Sequence, residues 1–227
     1  VWDDRGSFPV PYVLPKSKNL AKGRPIVPYT LHYLRRVYRV IGAAHSFAVA
    51  RLPEGASFNI MRTSDFAMRV QQGVQEGKKQ IGEGLAWKCT MGDVSNMYTE
   101  LDHRAIDAAV IWGLDQNKHG ARLKSVAVDR RSRATHKGRA WGLGFSDVAL
   151  ERIAEVSEFD NQFMFVWIKG CLARQVHGCP MGSNLSPPKA MVTCSPPEEE
   201  WIQTATRAGL PFICVRYMDD VAVFVGF

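Results

Sequence analysis

The chain has 227 residues, 46% of them apolar, with a net charge of +7 and a pI near 9.3. That is enough apolar mass for one or two packed lobes, and the basic balance favours a polyanionic partner. Five cysteines without a CxxC pair argue against a disulfide framework or structural zinc and fit a reducing compartment; no apolar run reaches transmembrane length, and no signal peptide is expected.

Residues 10–18 and 24–28 are two short extended runs joined by 19–23, which has turn residues at both ends. Thr30 is placed to cap a helix reaching about Ala44, with Leu31, Leu34, Tyr38 and Ile41 on one face and Arg35, Arg36 and Arg39 elsewhere. Residues 52–62 read as loop. Ser64 then caps a second helix carrying Phe66, Val70 and Val74 at intervals of four. The run 85–91 is a short, mostly apolar strand that delivers Asp93 at its end. Ile106, Val110, Ile111 and Leu114 mark a helix packed on a sheet, and His103 reads as a surface or cap residue.

Residues 118–139 hold eight Lys/Arg against one Asp, a balance of 8 − 1 = +7 that equals the charge of the whole chain. Such a block is either a phosphate-contacting insertion or a solvated loop. Residues 146–156 read as a further short helix, and 163–167 with 171–176 as a hairpin around 168–170. Gly178 and Gly182 would permit a backbone turn and close approach to a ligand. Ser186-Pro187-Pro188 follows as a helix start, and Ser195-Pro196-Pro197-Glu198 as a second, in capping-box form, so the helix breaks near Cys194. Last, 212–215 and 221–225 are strand-forming runs around Asp219-Asp220. Two adjacent carboxylates between buried strands repel each other and lose hydration unless a cation compensates them; a solvent-exposed turn is the plainer alternative.

Three stretches occur in the order of the palm motifs A, B and C of reverse transcriptases: Asp93-Val94-Ser95-Asn96-Met97-Tyr98, the segment 178–187, and Tyr217-Met218-Asp219-Asp220. Their form is most similar to Penelope-like retroelements and telomerase-type reverse transcriptases. The resemblance implies an α+β right-hand polymerase fold, fingers and palm, with an antiparallel palm sheet packed on helices and the thumb absent. Fingers would occupy 1–84, palm with motif A 85–117, a basic insertion 118–160, and palm with motifs B and C 161–227. The chain starts at Val1 and stops seven residues after Asp220, and is read as a fragment.

The same resemblance implies an RNA-directed DNA polymerase that transfers nucleotides from dNTP to a primer 3′-hydroxyl by two-metal chemistry. Asp93, Asp219, Asp220 and the Val94 carbonyl would hold two Mg²⁺, with Mn²⁺ as a substitute, and Asp220 would be secondary because neighbouring strand residues point apart. Arg24 and one of Lys16, Lys18 or Lys22, with Lys18 favoured, would grip the triphosphate. Tyr98 would exclude a 2′-hydroxyl, Gly182 would sit beside the nucleotide, and Gly178, Met181, Tyr217 and Met218 would face the nucleic acid. Arg130, Arg131 and Arg133 would contact backbone phosphates of an RNA template, a DNA primer or their duplex. No membrane partner is implied, and the setting is intracellular, nuclear or a nucleoprotein particle. An RNA-directed RNA polymerase is disfavoured by Tyr98, and a non-catalytic nucleic-acid-binding relative by the intact carboxylates.

Overall fold

In the computed structural model, which describes residues 3–17, 19–139 and 142–227, the elements alternate between short antiparallel sheets and helices. The first hairpin pairs β1 (Tyr12–Lys16) with β2 (Asn19–Ile26), Leu14 opposite Arg24. A 3₁₀ turn (Tyr29–Leu31) leads to α1 (Arg35–Val49), followed by α2 (Asp65–Ile81). Thr30 is no cap: its carbonyl accepts from Arg35 Nη1 at 2.9 Å, and the helix begins at Arg35, four residues later than a Thr30 cap implies. Leu31 is therefore exposed, while Tyr38 and Ile41 are buried with Ala44, Ala48 and Val49. Ser64 precedes α2 but donates to Asp65 instead of capping a backbone N–H.

Strand β3 (Trp87–Asp93) carries Asp93 to the end of a three-stranded antiparallel sheet of order β3-β10-β9, where β9 is Phe212–Tyr217 and β10 is Asp220–Gly226. Behind this sheet α2 supplies Val70 and Val74, which pack with Ile60, Ile213 and Val215 in a small core. Between β3 and β9 the chain forms α3 (Met97–Glu100) and α4 (His103–His119). Asp102 caps α4, accepting from the N–H groups of Arg104 and Ala105 at 2.9 and 3.1 Å. Ile106, Val110 and Leu114 are buried as the spacing predicts, but Ile111 is exposed. The helix packs on neighbouring helices and not on the sheet, whose covered side is already taken by α2.

The charged segment is folded. Strands β4 (Ser125–Asp129), β5 (Thr135–Lys137) and β6 (Phe145–Ala149) make a sheet of order β5-β4-β6. The expectation of helix from residue 146 fails for its first four residues. Val148 lies opposite Val126 in the β4–β6 ladder and both are buried, so cross-strand packing decides; helix α5 runs from Leu150 to Gln162. Asp129 makes the arginine-rich turn possible, its carboxylate accepting from the N–H groups of Arg131 (2.9 Å) and Ser132 (2.6 Å). Val126, Val128 and Val148 share one large core with α1, α4 and α5.

Hairpin β7 (Phe165–Ile168) and β8 (Cys171–Arg174) turns through Lys169 and Gly170, both at positive φ, a two-residue turn whose twist matches antiparallel strands. Helices α6 (Ser186–Thr193) and α7 (Ser195–Arg207) are separated at Cys194, as the paired prolines imply. Two details differ. Ser186 lies inside α6 and donates to the Pro180 carbonyl at 2.7 Å, and Glu198 forms no capping box because its carboxylate is drawn to Arg216. Among the described residues no helix is long and apolar enough to cross a membrane.

A second buried ion pair sits under α6. Lys189 Nζ donates to Asp160 at 2.6 Å and to Asn161 Oδ1 at 2.8 Å, with both charged groups essentially inaccessible. Beside it, burial first and the Lys189 charge second push the His45 imidazole down to about 3. A histidine held neutral in the fold but protonated near 6.5 in the unfolded chain stabilises the fold fully above pH 6.5, and that contribution falls away as pH drops towards 3. The stability contributed by His45 should therefore fall by about 2 kcal/mol between pH 7.5 and 5. Urea midpoints across that range would show it, and His45→Leu should flatten the slope there.

Candidate active site

The polar end of the β3-β10-β9 sheet is where the resemblance places chemistry. Asp93 lies directly opposite Asp220 in the β3–β10 register, and Asp220 opposite Tyr217 across the two-residue turn Met218–Asp219. The Val94 N–H donates to the Asp219 carbonyl at 2.7 Å, so the end of β3 is tied to the turn itself. Asp93 and Asp219 both line a cleft of about 570 Å³, with Val94 between them. Asp220 is next to the cleft but not in its lining, in keeping with alternation along a strand.

All three carboxylates are solvent-exposed. The desolvation part of the sequence argument therefore does not hold: hydration at the end of the sheet lets the acidic pair exist, and only mutual repulsion remains to favour a cation. Among the described residues no group of three or more His, Cys, Asp or Glu side chains is gathered to hold a metal. Two carboxylates in an open cleft nonetheless suit Mg²⁺, which uses one or two protein carboxylates and completes its shell with water and substrate phosphates. A protein-only cage for zinc or calcium is not what these residues build.

The first hairpin contributes to the same cleft: Lys16 and Arg24 are in its lining, adding an ammonium and a guanidinium to the site. Lys18, favoured from sequence, lies outside the described residues. Tyr98 also lines the cleft; burial, with lesser effects from Cys179 and the Asp219 carboxylate, pushes its phenol up to about 12, so it is neutral over the physiological range. Met181 and Met218 complete the floor. Tyr217 is partly exposed beside it.

Gly178 and Gly182 sit where this loop crosses other segments of the chain. A Cβ on Gly178 would lie 2.4 Å from the Tyr98 carbonyl oxygen, and one on Gly182 2.4 Å from that of Val27; both residues have positive φ. What approaches closely is the protein's own backbone. The Cys179 N–H donates to Tyr98 O and the Gly178 N–H to Leu101 O, while the Val27 N–H donates to Met181 O at 2.7 Å. This loop thus joins the segment after β3 to the end of the first hairpin. His103, read from sequence as surface or cap, reinforces it through Nε2 to the Gly178 carbonyl at 2.9 Å. Gly182→Ala should destabilise the fold by about 1–3 kcal/mol through strain and overpacking, measurable by urea unfolding.

Arg130, Arg131 and Arg133 are exposed on the β4–β5 turn and none lines this cleft. Arg130 instead joins Arg36, Arg39 and Arg152 around a separate cleft of about 760 Å³ between α1 and β6. Arg39 Nη2 holds the turn there by donating to the carbonyls of Arg130 and Arg131, at 3.4 and 2.9 Å. Sequence reading missed Arg216 entirely. A lone arginine within the apolar run of β9 was the available signal, and in the fold its guanidinium is fully buried.

No family model matches the chain, and no curated protein does. Solved structures do. Telomerase from Candida albicans in complex with a fragment of telomeric RNA superposes with a TM-score of 0.70 at 14% identity, covering 99% of this chain and 40% of that one. Apo telomerase from Candida tropicalis gives 0.64 at 13% identity, with 98% and 40% covered. The Candida tropicalis enzyme in complex with an RNA fragment gives 0.66 at 12%, with 99% and 37% covered. At these identities the likeness is one of fold, and the chain spans about 40% of the length of the telomerase chains it matches.

Proposed function

We propose that the chain is the fingers-and-palm part of an RNA-directed DNA polymerase of the telomerase or Penelope-like retroelement type, acting in a nuclear or nucleoprotein setting. Residues 1–84 would be fingers, 85–117 and 161–227 palm, and 118–160 an insertion between them. One observation carries the reading: Asp93 and Asp219, from segments far apart in sequence, line one cleft together with Lys16 and Arg24. The telomerase-like fold over nearly the whole chain supports it.

In this reading Asp93 and Asp219 hold divalent cations, which when bound would activate a primer 3′-hydroxyl and stabilise the leaving pyrophosphate. Asp220 supports them electrostatically from the neighbouring register position. Arg24 and a lysine of the hairpin, Lys16 or Lys18, orient the triphosphate and offset charge that develops on it. Tyr98, neutral and half-buried, sets the sugar side of the cleft by shape, so a ribose with its 2′-hydroxyl meets a ring and not a hydrogen-bond partner. Met181 supplies packing, and Gly178 and Gly182 hold the loop beneath.

Single-nucleotide extension of a DNA primer on an RNA template tests this reading. Wild type should incorporate dNTP in preference to rNTP, and Tyr98→Ala should narrow the preference by about tenfold or more, the scale of a steric contact of 1–3 kcal/mol. Preference for rNTP, or a Tyr98→Ala profile identical to wild type, contradicts the assignment.

A further inference from the structure

We propose that Arg216 is a positioning residue: through its buried pair with Glu198 it sets the Met218–Asp219 turn, and so places the Asp219 carboxylate against Asp93. The inference rests on the reading of the cleft given above and assigns a role to two residues outside the cleft.

Arg216 is the largest fully buried side chain among those described, and its polar groups are directed at four places. Nε and Nη2 donate to the two oxygens of Glu198, the latter at 3.2 Å. Nη2 also donates to the Met191 carbonyl at 3.0 Å, near the end of α6. Nη1 donates to the Met218 carbonyl at 3.1 Å, inside the turn. Glu198 in turn accepts from Ser57 Oγ at 2.9 Å and from the Phe58 N–H at 3.0 Å. The Arg216 backbone bonds to the same segment, its N–H to Phe58 O and its carbonyl to the Ile60 N–H, each at 2.8 Å. One charged pair therefore joins the 57–60 loop, both helices that follow the glycine loop, strand β9 and the acidic turn.

The turn needs such support. Met218 has φ 57°, the left-handed region that a side chain with a Cβ enters at a cost, and such conformations persist where the surroundings over-determine them. Here the Met218 carbonyl is held by Arg216 on one side, and the next carbonyl, of Asp219, by the Val94 N–H on the other. Without the first bond the turn is free to relax into a commoner conformation and Asp219 shifts relative to Asp93. The break between α6 and α7 acquires a reason as well. Pro196 and Pro197 lack the N–H groups that would continue α6, and the re-started helix places Glu198, in its first turn, facing the guanidinium.

Stability and positioning can be separated, because a buried ion pair replaced whole by apolar side chains often leaves the fold intact, whereas no apolar residue replaces the donor to Met218. The chain is loaded with Fe²⁺ in place of Mg²⁺ together with dATP, and ascorbate and peroxide then cut the backbone beside the bound ion. Wild type should be cut near both Asp93 and Asp219. Arg216→Met/Glu198→Leu, verified as folded by cooperative urea unfolding, should keep the cut near Asp93 and lose that near Asp219 by tenfold or more. Arg216→Lys keeps the charge but not the planar fork that spans Glu198 and Met218; it is read the same way, and stands in if the double variant does not refold. Equal cutting at both positions in a folded variant overturns the positioning role alone. Absence of localised cutting in wild type overturns the reading of the cleft, and this inference with it.

Discussion

Asp219→Asn should lower nucleotide incorporation by on the order of a thousandfold, while leaving the fold as stable as before or slightly more so. The two effects have separate causes. A carboxylate that holds a cation against developing phosphate charge contributes several kcal/mol at the transition state, and each 1.36 kcal/mol is a factor of ten in rate. In the absence of ions the same carboxylate only repels. Asp219 precedes Asp220 in sequence, and Asp220 faces Asp93 across the ladder, so three exposed negative charges crowd one end of the sheet. In water such repulsion is worth about 1 kcal/mol per pair at 4 Å, so relief on neutralising one is small and positive. Asp220→Asn should share the gain in stability but lose less activity, because its side chain is not in the cleft lining. Parallel urea titrations and single-turnover extension of the two variants check both halves. A large loss of stability on either substitution would mean that these carboxylates are structural.

The opposite pattern is expected at Lys189. Its ammonium and the Asp160 carboxylate are 2.6 Å apart with side-chain exposures of 0% and 1%. Removing one member leaves an uncompensated charge in the core, at a cost of about 3–5 kcal/mol. Lys189→Met should therefore unfold at much lower urea, while Lys189→Met/Asp160→Leu recovers most of the loss. The exposed Arg152–Glu155 pair is a control, since surface pairs contribute about 0–1 kcal/mol. Lys189 lies on α6, directly after the glycine loop, and burial first, then the same Asp160 charge, raises the phenols of Tyr29 and Tyr38. Loss of the pair should loosen the packing of α6 on α1, and incorporation should fall along with stability.

Much of this arrangement can be read from the chain because it follows from local chemistry. The β9–β10 and β7–β8 hairpins declare themselves through apolar runs around short polar centres, and the α6–α7 break through paired prolines. What could not be read depends on partners distant in sequence. Glu198 three positions after Ser195 satisfies a local capping pattern, but a buried guanidinium outcompetes a backbone N–H for its charge. In the 118–139 block the count of like charges hides Val126 and Val128, whose alternation is the part that folds. Gly178 and Gly182 were legible as positions where a Cβ is excluded, but not what excludes it: the carbonyls of Tyr98 and Val27 belong to other segments. The same limit applied to the hairpin lysines, where the register that brings Lys16 to the cleft is a property of the folded pair of strands.

The central claim is that Asp93 and Asp219 act together on the same ions. Anomalous diffraction from crystals of the chain grown with Mn²⁺, a primer–template duplex and a non-reactive dNTP measures this directly. The account predicts manganese density in the cleft bounded by Arg24 and Tyr98, within bonding distance of oxygens from both carboxylates and from the triphosphate. Manganese bound elsewhere, or by one of the two carboxylates with the other turned to solvent, would contradict it.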